Sequence, residues 1–463
     1  MTYTNPVRLK SLTDTTNHFP RQAARSDVPP VTALEVLSGS LIELLGEPHS
    51  IEATGIPEPF LTSLALKILY FGGTLKGWQM AQAMRLHFST VVEPILQTLR
   101  RHHLVQVTGG SNLNRASYQY LITDKGSGRA RELLERNRYV GPCPVTLGHY
   151  IRQVKLQAGH RPIVKEGDVR RVLRGLVLPG EVIDRIGPAV NSFKSIFVYG
   201  PPGNGKTSIA KAIGRGLLPG NIMVPYALYE SGQVITVFDR ETHRPEVSEE
   251  AQLAESNGLD KRWVRCGPPV VVTGGELTLG DLDLQWSETN RYYEAPFQLK
   301  ANGGMLLVDD FGRQQMRPKE LLNRWIVPLE ERLDFLTFHT GKKFGVPFET
   351  LIVFSTNIDP ESLVDDAFLR RIRHKLGIDN PNEQRFYEIF ASECKMRGIR
   401  FEKEAFMHLM REYYLKAGRP LRACHPRDLL DQVVDFAQYR DEPAEMSLDL
   451  IDRAARSYFA ELF

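Results

Sequence analysis

The residues with most chemical content lie at 200–208. Gly200-Pro201-Pro202-Gly203-Asn204-Gly205-Lys206-Thr207 reads G-x-x-x-x-G-K-[ST], and Ser208 follows. Glycines carry no Cβ, so backbone N–H groups can curl around phosphate oxygens. A helix opening at Lys206 would add the partial positive charge of its N-terminus. Lys206 is then the cation for the β- and γ-phosphates, and Thr207 a hydroxyl ligand for Mg²⁺. Two further polar clusters suit the same chemistry, which is that of Mg²⁺-ATP. Asp309 and Asp310 end the run Gly303-Gly304-Met305-Leu306-Leu307-Val308, and Asn357 ends the run Leu351–Thr356. Paired carboxylates at such a place can hold Mg²⁺ and position a water molecule.

These side chains need rigid carriers. Ser195–Tyr199, Met305–Val308 and Leu351–Phe354 are short apolar runs, as expected of strands buried on both faces of a parallel sheet. Each would deliver its polar residues at its C-terminal end. Leu176–Leu178 are apolar and suit the wall of an adenine pocket. Residues 380–463 are rich in helical pattern.

In this order the motifs resemble the AAA+ ATPases, over roughly residues 165–463. The resemblance implies an α/β fold: a P-loop NTPase parallel sheet core with a helical C-terminal lid. It assigns Asp309 to Mg²⁺ and Asp310 to the place where these ATPases usually carry a water-polarising glutamate. Asn357 becomes the sensor-1 residue, aimed at the γ-phosphate and the water. Thirteen and fourteen residues further on, Arg370 and Arg371 fall in the segment similar to the one that carries the arginine finger. Arg371 is the first choice and Arg370 the second. His425-Pro426-Arg427-Asp428 resembles the start of the sensor-2 helix, with Arg427 as its arginine. Because a finger arginine serves the neighbouring subunit, the resemblance implies a homo-oligomeric ring, expected to be a hexamer.

Leu333–Phe338 and Phe344–Phe348, around Thr340-Gly341-Lys342-Lys343, predict a hairpin just before the third apolar run. It resembles the hairpin of the pre-sensor-1 superclade, which includes MoxR-type chaperones and magnesium chelatases. The Gly-Ala-Phe-Thr-Gly-Ala loop of sigma-54 activators is absent. About a hundred residues separate Lys206 from Asp309. Within that excess, Met223–Phe238 predicts a hairpin around Glu230-Ser231-Gly232-Gln233, and Arg240–Arg262 is a charged stretch.

The N-terminal third reads differently. Residues 1–50 are expected to be a flexible leader with a short helix at 31–46. Residues 51–140 predict three helices, then a hairpin, then a helix, an order that resembles a winged-helix domain. Thr90-Val91-Val92-Glu93 is a capping-box pattern that would open the third helix. Gly141-Pro142-Cys143-Pro144 opens an expected linker over 141–164, followed by the ATPase core (165–378) and the lid (379–463). Between Gly55 and Arg138 there are eleven Lys and Arg against five Asp and Glu, a surplus of six in a chain whose net charge is +3. That basic module suits a polyanionic partner. Arg100, Arg101 and Arg115 are the candidates for phosphate contact, so DNA binding through residues 55–138 is one expectation. The early positions of the third helix, Val91, Glu93 and Pro94, do not suit base readout. A module that docks protein is the competing reading.

No run of eighteen apolar residues predicts a membrane span. The four cysteines are scattered and form no C-x-x-C pair, which fits a reducing cytoplasm and argues against structural zinc. The functional expectation is an ATP-hydrolysing ring that remodels an as yet unidentified protein substrate. Alternatives are a DNA-remodelling motor, and a nucleotide-switched platform with little hydrolysis.

Overall fold

The computed structural model describes residues 45–109, 115–218, 220–246, 258–359 and 370–459. The helix expected over 31–46 lies almost wholly outside them, as does most of the leader.

Five parallel strands make the central sheet: β1 (Ser195–Tyr199), β2 (Val270–Thr273), β3 (Met305–Val308), β4 (Leu351–Thr356) and β5 (His374–Gly377). Their spatial order is β2-β3-β4-β1-β5, and every pairing is parallel. Alternate side chains feed two separate cores. Ile196, Val198, Met305 and Leu307 pack with Ile186 and Val190 of the helix Gly180–Ser192 and with Ile209 and Ile213 of the helix Lys206–Gly216. Phe197, Leu306, Val308 and Phe354 face the other way, against Phe311, Leu321 and Trp325. Burial on both faces explains why these strands read as continuous apolar runs. The fold is therefore α/β, with the parallel core of a P-loop NTPase and a helical C-terminal bundle.

That bundle contains the helices Glu383–Arg397, Lys403–Leu409, His425–Arg440 and Leu448–Tyr458 around Phe386, Phe390, Leu429, Val433 and Ile451. At the other end of the chain come the helices Glu58–Gly72, Gly77–Met84 and Glu93–Arg101, the strands Val105–Gly109 and Gln119–Ile122, and the helix Asp124–Arg136. This is the expected element order, with one addition. Thr74–Lys76 forms a third antiparallel strand beside Gln119–Ile122. The expected capping box at Thr90 is not formed. The chain enters the third helix through a wide turn over Phe88–Val92, and Thr90 Oγ1 instead lies 3.0 Å from His87 Nδ1.

Between the phosphate loop and β3 the chain builds a second sheet. Ala227–Glu230 and Gln233–Thr236 form the expected hairpin, with Ser231 and Gly232 both at positive φ, as a two-residue turn of this hand requires. Leu333–Thr337 pairs with Lys343–Pro347 as anticipated. The tips of the two hairpins meet: Lys342 Nζ lies 3.6 Å from Glu230 and also contacts Ser231 Oγ. Of the charged stretch 240–262, residues 247–257 lie outside the described ones.

Residues 141–164, expected as a linker, are integral to this layer. Val145–Thr146 pairs in parallel with Leu228–Tyr229. The helix Leu147–Gly159 buries Leu147, Tyr150 and Val154 against the second sheet. The correction has a clear cause, because Val145, Leu147, Tyr150 and Val154 give the segment an apolar face that must be covered. Residues 45–47 are pinned as well, through Glu47 N to Gly258 O at 2.8 Å and Asp260 N to Leu45 O at 2.6 Å.

The N-terminal module is thus welded to the second sheet. Ala227 and Val234 join its core, and Phe60 and Tyr229 stack at 4.8 Å. Arg262 is the polar rivet. Its Nη2 donates to Asp260 Oδ2 at 2.7 Å and its Nε to Oδ1 at 2.9 Å. Its Nη1 reaches the carbonyls of Thr54 (3.1 Å) and Pro144 (3.3 Å). Both charged residues are 1% exposed. Arg262→Ala would strand a buried carboxylate and two carbonyls, which costs about 3–5 kcal/mol. We expect the thermal midpoint to fall by on the order of 10 °C; an unchanged melting curve would contradict this role.

Candidate functional site

The site lies at the C-terminal ends of β1, β3 and β4, where a chain crossing leaves a crevice in sheets of this kind. After Tyr199 the chain turns sharply. Gly200 has φ 135°, and a Cβ there would sit 2.3 Å from the carbonyl oxygen of Ile378. Gly203 (φ 83°) and Gly205 (φ 79°) complete a loop that only glycine builds without strain. The helix Lys206–Gly216 begins immediately after it.

Lys206 is buried, and its ammonium donates to the carbonyls of Gly200 (2.9 Å) and Pro201 (2.8 Å). Burial lowers its pKa, and the charges of Asp310 and Asp309 oppose that shift. The ammonium is thus held at the loop by weak neutral partners that a phosphate oxygen would replace. Thr207 Oγ1 donates to Asp309 Oδ1 at 3.0 Å. Hydroxyl and carboxylate lie side by side, as a shared Mg²⁺ ion would need, and a hard oxygen donor set suits that metal. The residues fit Mg²⁺-ATP: the loop Gly200–Ser208 with Lys206 for the phosphates, Thr207 and Asp309 for the ion.

Asp310 follows in the left-handed region at φ 48°. Asn357 Nδ2 donates to its Oδ1 at 3.2 Å. Backbone bonds lock the segment to β4: Phe311 N to Ser355 O and Thr356 Oγ1 to Phe311 O, both 2.7 Å. Gln314 Nε2 caps the carbonyls of Asp309 (3.0 Å) and Asp310 (3.2 Å). These side chains open into a cleft of about 340 Å³, walled by Leu176, Val177 and Leu178 on one side and Ile389, Cys424 and Arg427 on the other. Arg427 reaches the cleft from the first turn of the helix His425–Arg440 and is paired at 2.8 Å with Asp428.

Arg370 and Arg371 are not part of this cluster. β5 starts at His374, beside Ile196, whereas the phosphate loop leaves β1 beside Gly377. The two arginines precede β5, so they sit at the opposite end of the sheet, on the order of 16 Å from the loop along the strands. Arg371 contacts Glu330 of the same chain, and Arg370 is exposed.

Sequence reasoning missed the joint between loop and lid. Asn204 donates to Asn380 Oδ1 at 2.8 Å and accepts from Ala423 N at 3.1 Å. Cys424 N donates to Gly203 O at 2.8 Å. The polar end of Ile378-Asp379-Asn380 was a visible signal for Asn380; Gln314 had none.

His425, at the base of that lid helix, is buried among the Tyr414, Tyr458 and Phe459 rings. Burial, with Arg422 nearby, pushes its pKa down to about 4. An unfolded chain protonates it near pH 6.5 and the folded one does not, so stability falls as the pH drops from 6.5 towards 4. The loss is about 2 kcal/mol at pH 5. His425→Gln should flatten the decline of the thermal midpoint between pH 7 and pH 5; an equally steep decline would contradict the assignment.

A family described as Domain of unknown function (DUF8689) matches residues 382–457. No curated protein matches the chain. Solved structures similar to it include NtrX from Brucella abortus, at 14% identity and TM-score 0.38, covering 63% of this chain and 58% of that one. NtrX in complex with ADP gives 13% and 0.37, with 70% and 64% covered. The Thermotoga maritima RuvB Holliday junction branch migration motor gives 16% and 0.33, with 70% and 73% covered. The chain thus spans less than two thirds of the NtrX chains. Among the described residues, no helix is long and apolar enough to cross a membrane.

Proposed function

We propose that this protein is an AAA+ ATPase that hydrolyses ATP in the cleft around Lys206 and uses the cycle to remodel a protein substrate. The observation that carries the reading is the convergence of Lys206, Thr207, Asp309, Asp310 and Asn357 on one crevice from three strands. Mg²⁺, held by Thr207 and Asp309, supplies charge neutralisation for the phosphates. Lys206 binds the β/γ-phosphates, Asp310 takes a proton from the attacking water, and Asn357 orients both. Arg427 closes on the nucleotide from the lid. Arg371 serves the neighbouring subunit, with Arg370 as the second choice, so the working form is a homo-oligomeric ring, a hexamer by analogy with the family. The hairpin Leu333–Pro347 before β4 supports membership of the pre-sensor-1 superclade, on the MoxR and chelatase side.

The N-terminal module is read as a winged helix that docks the substrate. Its fixed seat on the second sheet favours this, since motion there passes directly to the module. DNA remodelling is the second reading, favoured by exposed Arg100, Arg101 and His102 at the end of the third helix. Arg115, the wing candidate for phosphate contact, is engaged with Glu93 at 2.6 Å. ATP turnover measured with and without single- and double-stranded DNA separates the two. A rate indifferent to DNA is expected. Stimulation of several-fold, declining with salt as counterion release requires, would establish the DNA motor instead. No turnover above a Lys206→Ala blank would point to the nucleotide-switched platform.

A further inference from the structure

A second cavity, of about 400 Å³, lies between the helix Leu147–Gly159, the strand Ile222–Pro225 and the turn Leu299–Gly303. It shares no lining residue with the nucleotide cleft, and its size is in the range of small-molecule sites. Val154, Phe193, Ile222, Val224 and Leu299 give it apolar walls.

One polar group in this wall is unexplained. Gln153 is 0% exposed, and neither its Nε2 nor its Oε1 has a hydrogen-bond partner among the described residues. A buried carboxamide with both ends unmade is destabilising, and native proteins rarely keep one without a reason. Its neighbours show the contrast. Gln157, one turn on, holds the carbonyl of Met223, and Asn302 donates to Tyr150 Oη at 2.9 Å and to the carbonyl of Pro347 at 2.8 Å.

The charged groups of the lining already have partners. Arg161 pairs with Glu349 at 2.8 Å, Arg265 with Glu246 at 2.6 Å and Lys300 with Asp239 at 3.2 Å. His243 is held between the N–H of Asp239 and the carbonyl of Lys300, and burial lowers its pKa so that it stays neutral. An ionic ligand would find no spare countercharge. An uncharged one would find apolar walls and a single carboxamide offering one donor and one acceptor side by side.

We propose that this cavity is a second ligand site, selective for a small uncharged molecule with a lactam edge, an N–H and a carbonyl on adjacent atoms, which pairs with the Gln153 side chain. The proposal is independent of ATP hydrolysis. Hypoxanthine is a suitable probe, because its ring N–H and carbonyl form such an edge. Saturation-transfer NMR on the full chain, with the nucleotide cleft filled by excess ADP, should show hypoxanthine binding. 1-Methylhypoxanthine, which keeps the shape and loses the donor, should bind at least about tenfold more weakly. Gln153→Leu, similar in size, should lose hypoxanthine to the same degree while keeping wild-type ATP turnover. No transfer to hypoxanthine, or equal binding of the two probes by the wild-type protein, would overturn the proposal. The probe pair decides the matter even if the variant fails to fold.

Discussion

Asp310→Asn is expected to lower ATP turnover by about 10²–10⁴-fold, the range for loss of a positioned general base. Nucleotide affinity should stay within a few-fold of wild type. The substitution preserves size and leaves the Asn357 contact available, at 3.2 Å in the native site, so that what disappears is the basic oxygen. The neighbouring variant Asp310→Glu is the more informative one. By family resemblance glutamate is the usual residue here, and replacing Asp with it looks like a repair. The backbone argues otherwise. Asp310 sits at φ 48°, a conformation that Asp and Asn tolerate better than longer side chains. The shorter carboxylate is matched to the backbone that carries it, and Asp310→Glu should lose turnover, not gain it. Phosphate release and fluorescent-nucleotide binding, measured separately on each variant, check both statements. Asp310→Asn turning over at more than a tenth of the wild-type rate would remove Asp310 from catalysis.

Arg371→Ala is expected to cost about 10³-fold or more in turnover, as loss of a finger arginine does, with little change in nucleotide affinity. Arg371 stands at the far end of the sheet from its own phosphate loop, so its effect must be delivered to another subunit. Complementation tests this directly. An Arg371→Ala subunit keeps an intact cleft and lacks the arginine to lend. A Lys206→Ala subunit has a dead cleft and keeps the arginine. Mixing two nearly inactive variants should therefore restore a measurable part of the activity. A mixture no faster than its components would mean that Arg371 acts within its own chain, where it contacts Glu330, and Arg370→Ala would then be examined in the same assay.

Much of the core was legible because its signals are local and redundant. The apolar runs at 195–199, 305–308 and 351–356 are buried on both faces, so periodicity, length and flanking polar residues all agree. Gly200, Gly203 and Gly205 are required by positive φ, and the spacing to Lys206 follows from the loop they build. Both hairpins were visible for similar reasons, with Ser231-Gly232 and Gly341 marking the turns. What escaped depends on partners distant in sequence. Val145–Thr146 is a strand because Leu228–Tyr229 lies beside it, and two residues carry no periodicity of their own. Thr90 had the pattern of a cap, yet the wide turn at Phe88–Val92 moved the helix start past it. Gln314, Asn204 and Asn380 earn their roles from contacts with backbone that only the folded chain brings near. Arg262 lay in a charged stretch that suggested surface, and its burial follows from Asp260 two residues earlier and two carbonyls from other segments.

The central claim is that the cleft at the ends of β1, β3 and β4 hydrolyses Mg²⁺-ATP. The most direct test is phosphate release by the purified wild-type protein in excess ATP and Mg²⁺, alongside Lys206→Ala prepared identically. The account predicts a steady rate proportional to protein concentration, abolished by chelating Mg²⁺ and absent from Lys206→Ala. A wild-type rate indistinguishable from Lys206→Ala, with nucleotide bound equally by both, would contradict it.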